Sequence, residues 1–262
     1  MLKKRLIPKL LIKELEINNE YFYTVVNSTN FSNYRNIGDP LSQAKIFQSQ
    51  LADELVLLHI DKVRHKKTFL NFLAKLSTEI FMPITVGGGV SSVSYVRELI
   101  RNGADKVSIN SFTFKNKKII NETSRIFGSQ CVVGSIDYKF DPKTKKRFVY
   151  SDGGKKNTNK DVLEWAKTIE SEGAGEILLT SIDSDGSLNG LDIEFIEHVA
   201  SSISIPVIAS GGCGKTQHFI DAFKKTNINA ICAGNFFNLQ DQNILQTRAN
   251  IFNNNIAIRT NT

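Results

Sequence analysis

Two stretches of this chain have residue types suited to holding an anion through the backbone. They are Pro83-Ile84-Thr85-Val86-Gly87-Gly88-Gly89-Val90 and Pro206-Val207-Ile208-Ala209-Ser210-Gly211-Gly212-Cys213-Gly214. Each is a short apolar run opened by proline and closed by glycines. Such a run reads as a buried strand that ends in a backbone-exposing turn. A helix-like pattern follows both copies, from about Ser91 and from about Lys215. A strand, a glycine turn and a helix N-terminus together aim free N–H groups at one point, which is the chemistry of a phosphate cradle. Glycine turns also form for purely steric reasons. Two copies in matching surroundings favour the cradle.

The matching surroundings define the elements that position the turns. Leu51-Ala52-Asp53-Glu54-Leu55-Val56-Leu57-Leu58-His59-Ile60-Asp61 is similar to Gly173-Ala174-Gly175-Glu176-Ile177-Leu178-Leu179-Thr180-Ser181-Ile182-Asp183. Asn102 to Asn110 is similar in the same way to Asn227 to Asn235. All three offsets are close to half the chain, so two half-chains of like design are expected. Strands are predicted over residues 6–11, 54–60, 84–86, 106–109, 131–137, 176–180, 206–209 and 230–233. Helices are predicted between them, beginning with one that Asp39 caps and Pro40 opens, and a last helix is predicted near residues 240–251. Residues 13–37 are polar and asparagine-rich and read as a long functional loop, with Tyr21 to Val26 able to form one arm of a hairpin. Residues 139–156 are charged, with a small hairpin around Asp141-Pro142. Strict alternation implies a parallel sheet. Repetition by halves then favours a closed α/β (β/α)8 TIM barrel with a half-barrel internal repeat, a single domain over residues 1–262.

Composition agrees. The chain has 262 residues, 41% hydrophobic and 23% charged, and roughly 250 residues is usual for such a barrel. No apolar run approaches the roughly 20 residues that span a bilayer, and no signal peptide is evident. Cys131, Cys213 and Cys232 are far apart, without metal spacing or an even disulfide count. A cytoplasmic protein with no metal, no cofactor and no membrane partner is expected. The net charge of +7 suits a phosphorylated small molecule. The basic clusters are not interleaved with aromatics, so nucleic acid is not expected as a partner.

In such barrels chemistry sits at the C-terminal ends of the strands. Asn110, Ser111, Asp137, Thr180, Ser181, Asp185, Ser210 and Asn235 stand there. The segments Thr85 to Gly89, Gly103 to Asn110, Phe127 to Gln130, Ile136-Asp137, Gly173 to Gly186 and Ile208 to Gly212 resemble the cyclase subunit of imidazole glycerol phosphate synthase. The resemblance runs over nearly the whole chain. It implies a lyase-type ring closure fed with ammonia by a glutaminase subunit, in a heterodimer. It implies phosphate contacts at Gly89, Asn110 and Ser111 for one end of the substrate. For the other end it implies Asp185, Gly186, Gly211, Gly212, Gly234 and Asn235. It also implies an ammonia gate of four charges, Arg5, Glu54, Lys106 and Glu176, and a glutaminase-facing Asp105.

Two departures stand out. The family uses two aspartates as general acid and base. Asp137 fills the second position, but Leu11 stands at the first, and leucine transfers no proton. His59 replaces another family aspartate. The combination resembles a paralogue group that works with a sugar amidotransferase in amidating a surface-polysaccharide sugar, and this is the reading adopted at the sequence level. The alternatives are the authentic cyclase, which makes imidazole glycerol phosphate and AICAR from PRFAR in histidine biosynthesis, a phosphoribosyl isomerase, and a non-catalytic scaffold. Strand alternation places Arg5, Ile7, Lys9 and Leu11 on one face and Cys131, Val133, Ser135 and Asp137 on another. Lys9 is therefore expected inside the barrel with an oxygen partner, Asp137 being the favoured carboxylate. That contact would hold Asp137 ionised.

Overall fold

The computed structural model describes residues 3–61, 63–239 and 243–260. Among these, the strands are β1 (Arg5–Ile17), β2 (Glu20–Thr29), β3 (Ser32–Gly38), β4 (Leu55–His59), β5 (Ile84–Gly87), β6 (Lys106–Ile109), β7 (Val132–Asp141), β8 (Lys146–Ser151), β9 (Lys156–Asp161), β10 (Glu176–Ser181), β11 (Val207–Ser210) and β12 (Ala230–Ala233). The helices are α1 (Pro40–Ser49), α2 (Lys66–Glu79), α3 (Val93–Arg101), α4 (Lys118–Phe127), α5 (Val162–Ser171), α6 (Ile193–Ala200), α7 (Thr216–Lys225), α8 (Asn235–Leu239) and α9 (Ile244–Asn253). The parallel strands run β10-β11-β12-β1-β4-β5-β6-β7, and β7 pairs with β10 to close the ring. This is a closed (β/α)8 barrel.

Each half of the barrel opens with a long strand and an antiparallel hairpin. In the first half β1 continues into β2 and β3, and in the second β7 continues into β8 and β9. The half-chain repeat therefore extends to these appendages. Residues 13–37, expected as a loop, are mostly strand. Asn18 and Asn19 take φ of 53° and 62°, and Asn30 and Phe31 take 53° and 56°, so both turns use left-handed backbone that asparagine tolerates. The predicted hairpin around Asp141-Pro142 is present, and β9 adds a third strand to it. That strand delays α5 to Val162, with Asp161 as its N-cap. The last long helix starts at Ile244, while Gln240 to Gln242 lie outside the described residues. Among the described residues no helix is long and apolar enough to cross a membrane.

Strand alternation sorts side chains into two cores. Leu6, Leu10 and Ile12 of β1 point outward and join the large core between barrel and helices. Ile7, Val56, Val133, Leu178 and Ile208 point inward and form a separate cluster within the barrel. At Gly134 a Cβ would lie 2.3 Å from Ile169 Cγ2 of α5, so the glycine lets helix and barrel approach.

One buried ion pair ties the end of the chain to the barrel floor. Arg248 on α9 reaches Asp53 with Nη2 at 3.1 Å from Oδ2, and donates to the Leu51 carbonyl at 2.6 Å. Asp53 also accepts from the Leu6 amide at 2.7 Å. Breaking such a pair leaves a buried charge without its partner. Arg248→Met is expected to lower unfolding stability by about 3–5 kcal/mol, measured by urea denaturation. A loss within experimental error would show that the pair carries no such weight.

Candidate functional site

The N-terminal mouth of the barrel carries four charges at strand starts. Arg5 pairs with Glu54 at 2.5 Å and with Glu176 at 2.6 Å. Lys106 pairs with Glu54 at 3.0 Å and with Glu176 at 2.8 Å. The four form a closed ring of alternating sign, and Arg5, Glu54 and Glu176 are buried. Burial works to raise the Glu54 pKa, but the charges of Arg5 and Lys106 outweigh it and hold the group below the usual carboxylate range. Asp105 is exposed on the same side and accepts from the Ile84 amide at 2.8 Å.

Above the ring lies the apolar layer of Ile7, Val56, Val133, Leu178 and Ile208. Above that the interior turns polar, with Lys9, Ser108, Ser135, Asp137 and Thr180 facing a cavity of about 1240 Å³ at the C-terminal mouth. Gly88, Gly89, Asn110 and Ser111 line the same cavity. Gly88 has φ of 99°, and a Cβ there would lie 2.0 Å from the His59 carbonyl oxygen, so the turn is compatible only with glycine. Ser111 Oγ accepts from the Asp152 amide at 2.8 Å, tying this wall to the β8–β9 turn.

Asp137 sits at the top of the inward face of β7, as the alternation required. It accepts from Asn110 Nδ2 at 2.7 Å. Burial pushes its pKa up to about 7, against the opposing pull of Lys9 and the Asn110 hydrogen bond, with Asp185 adding to the rise. This corrects the expectation that a lysine would hold Asp137 ionised. A carboxyl poised near neutrality suits proton transfer.

Lys9 is inside the barrel and 4% exposed. Its Nζ donates to Ser210 Oγ at 3.0 Å and pairs with Asp185 Oδ1 at 3.6 Å. Its carboxylate partner is therefore Asp185, not the favoured Asp137. Gly186, Gly211, Gly212, Gly234 and Asn235, the set implied by the family resemblance, line a small cavity together with Lys9 and Asp185. Cys213 and Cys232, distant in sequence, both line it as free thiols.

Leu11 lines the main cavity and pairs in register with Leu58. Its neighbour Leu10 faces the outer core. His59 is buried, donates from Nδ1 to the Asp61 carbonyl at 3.0 Å, and packs edge-on against Tyr23 and Phe69. Burial lowers its pKa despite Asp61 and Glu14, so it is neutral at pH 7 and does not replace a carboxylate. Sequence reasoning missed Ser28 and Asn30, which reach the site from the β2–β3 hairpin. Ser28 Oγ donates to Asp185 Oδ2 at 2.6 Å, and the Asn30 amide donates to the Asp185 carbonyl at 2.9 Å. It also missed Glu14 and His65, paired at 2.5 Å with Tyr21 stacked on the imidazole at the cavity rim.

The eight parallel strands form a (β/α)8 barrel with glycine turns and the Asp137 carboxyl at its C-terminal mouth and a charge ring at the other. The family profile for "Histidine biosynthesis protein" matches residues 12–242. The chain is 43% identical to the imidazole glycerol phosphate synthase subunit HisF of Hydrogenobaculum sp. over 99% of its own length and 100% of the relative's. It is 42% identical to the subunit of the same name from Bacillus cereus (strain G9842), with the same coverage. The chain belongs to this histidine-biosynthesis family.

The Asp137 environment has a consequence for stability. Its folded-state pKa, about 7, lies above its ordinary value of 3.8. The native state then binds more protons than the unfolded chain between those values. This group's contribution to stability is present at low pH and is lost as pH rises toward 7. Asp137→Asn is expected to be more stable than the unaltered protein at pH 8, by about 2–4 kcal/mol, since each tenfold change in proton affinity is worth ~1.4 kcal/mol. Near pH 4 the two proteins are expected to be equally stable. A stability difference between them that stays constant across this pH range would contradict the assignment.

Proposed function

We propose that the chain is the ammonia-accepting subunit of a glutamine amidotransferase of the imidazole glycerol phosphate synthase type. The single observation that carries the proposal is the closed Arg5–Glu54–Lys106–Glu176 ring at one mouth, below an apolar layer and the Asp137 cavity. A buried ring of balanced charge is costly to build for stability alone. An apolar layer admits neutral ammonia and rejects ammonium, whose burial without a partner is expensive. In this reading a glutaminase docks on the face that carries Asp105, ammonia rises between the ring residues, and Asp137 gives or takes a proton as the nitrogen adds to an acceptor. Gly89, Asn110 and Ser111 hold a phosphoryl group of that acceptor.

Two endpoints follow from different observations. The names of the relatives favour ring closure to imidazole glycerol phosphate. Leu11 favours the other endpoint, in which the ammonia serves a sugar amidotransferase of a surface-polysaccharide pathway, because the site has one proton-transferring carboxyl and not two. Complementation of a strain lacking the histidine cyclase separates them. Growth without histidine supports the cyclase and removes the sugar-amidation reading. Failure to grow, with the protein expressed and folded, supports sugar amidation. A second measurement tests the common part. Adding the chain to a purified glutaminase of the synthase type is expected to raise glutamine hydrolysis, and an unchanged rate contradicts the partnership.

A further inference from the structure

At the rim of the main cavity, Glu14 and His65 have the geometry of a proton-transfer dyad. Alternation along β1 turns Glu14 to the face opposite Leu11, where it meets His65 from the loop between β4 and α2. Glu14 Oε1 lies 2.5 Å from His65 Nδ1. A carboxylate at Nδ1 keeps the proton on that nitrogen and leaves Nε2 as the basic one. His65 Nε2 makes no hydrogen bond among the described residues, and the partly exposed ring lines the main cavity. Tyr21 stacks on the imidazole with ring centroids 3.7 Å apart and an interplanar angle of 22°, which holds the ring in its plane. The other oxygen of the dyad, Glu14 Oε2, is buried with no hydrogen-bond partner among the described residues. A pair kept only to tie β1 to α2 would be more stable with that oxygen bonded or in water. His59, the other histidine on this side of the cavity, is not equivalent, because its own Nε2 is buried.

The dyad also stands beside the first glycine cradle. A Cβ at Gly89 would lie 3.2 Å from Val63 Cγ2, so the loop that carries His65 packs against that turn. Asn110 of the same cradle donates to Asp137 at 2.7 Å. The cradle thus adjoins both proton-carrying groups. We propose that His65 is a second catalytic residue of this site, the general base that takes a proton from the incoming nitrogen, and that Glu14 positions it. The inference rests on the chain being the ammonia-accepting subunit. In the step, the ammonia lone pair forms a C–N bond to a carbonyl carbon of the acceptor, and the C=O π pair moves onto the oxygen. That oxygen takes a proton from Asp137, which burial keeps partly protonated near pH 7. The nitrogen gives one of its protons to His65 Nε2. The adduct is neutral, and solvent at the mouth returns the proton from the imidazolium to the Asp137 carboxylate. Leu11 leaves β1 without a proton-transferring group inside the barrel, and the dyad supplies one at the rim, where β1 continues into its hairpin.

The test supplies the full chain and a synthase-type glutaminase with amide-¹⁵N glutamine and a cell metabolite extract as the source of acceptor. Mass spectrometry reads the initial rate of ¹⁵N-labelled product. His65→Gln keeps a donor for Glu14 but takes no proton, and it is expected to lower the rate about 100-fold. His65→Ala is expected to lose as much and to regain rate saturably with added imidazole, which a structural role would not allow. Glu14→Gln is expected to lower the rate when His65 is present and to cost nothing further in the imidazole-rescued His65→Ala chain. An undiminished rate for His65→Gln would overturn the inference, and so would a His65→Ala chain that folds but is not rescued by imidazole. A further loss from Glu14→Gln in the rescued chain would remove the positioning role. If the unaltered chain yields no labelled product, the proposed function itself fails, and the inference with it.

Discussion

A charge that points into a closed barrel must find its counter-charge there. That constraint organises this molecule from floor to mouth. Arg5 opens β1, the strand that starts the chain's sheet, and alternation sends it inward together with Lys9. Neither can reach bulk water. Arg5 is neutralised by Glu54 and Glu176, and these in turn need Lys106, so the ring closes. Lys9 is neutralised by Asp185, which in turn binds the β2–β3 hairpin through Ser28. The only inward carboxyl near the mouth without a direct ion-pair partner within 4 Å is Asp137 among the described residues. It is the one that burial pushes toward neutrality.

The separation of these groups along the barrel axis gives the molecule its functional polarity. The ring and Asp137 are held apart by an apolar layer that has no hydrogen-bonding groups of its own. Charge cannot leak between the two ends without a desolvation cost. A small neutral molecule can cross. The family resemblance and the barrel geometry thus meet at the same point: one end accepts ammonia in the proposed function, and the other presents it to an acceptor beside a proton-transferring carboxyl.

Much of this was legible in the sequence, for identifiable reasons. The barrel strands are short apolar runs bounded by glycine and proline, and alternation fixed which residues of β1 and β7 turn inward. The charge ring was readable through the family resemblance, whose four positions all fall at the starts of predicted strands. Three things were not legible. The β2–β3 hairpin was hidden because its strands are half solvated and its turns use asparagine, so residues 13–37 look like a polar loop. The partner of Lys9 was misassigned because alternation places strand residues, whereas Asp185 lies in a loop that curls back over the mouth. The direction of the Asp137 shift depends on how deeply the group is buried and how far Lys9 stands from it, which are three-dimensional quantities.

The central claim is that nitrogen travels through the ring and the apolar layer. The most direct measurement supplies the chain and a synthase-type glutaminase with amide-¹⁵N glutamine in a buffer of unlabelled ammonium, with the natural acceptor present in a cell metabolite extract. Mass spectrometry then reads the label in the aminated product. The account predicts that the product carries mostly ¹⁵N with the unaltered chain, and that Lys106→Ala, which unbalances the ring, shifts the product toward unlabelled nitrogen from solution. Equal labelling with both chains, or unlabelled product with the unaltered chain, would contradict the account.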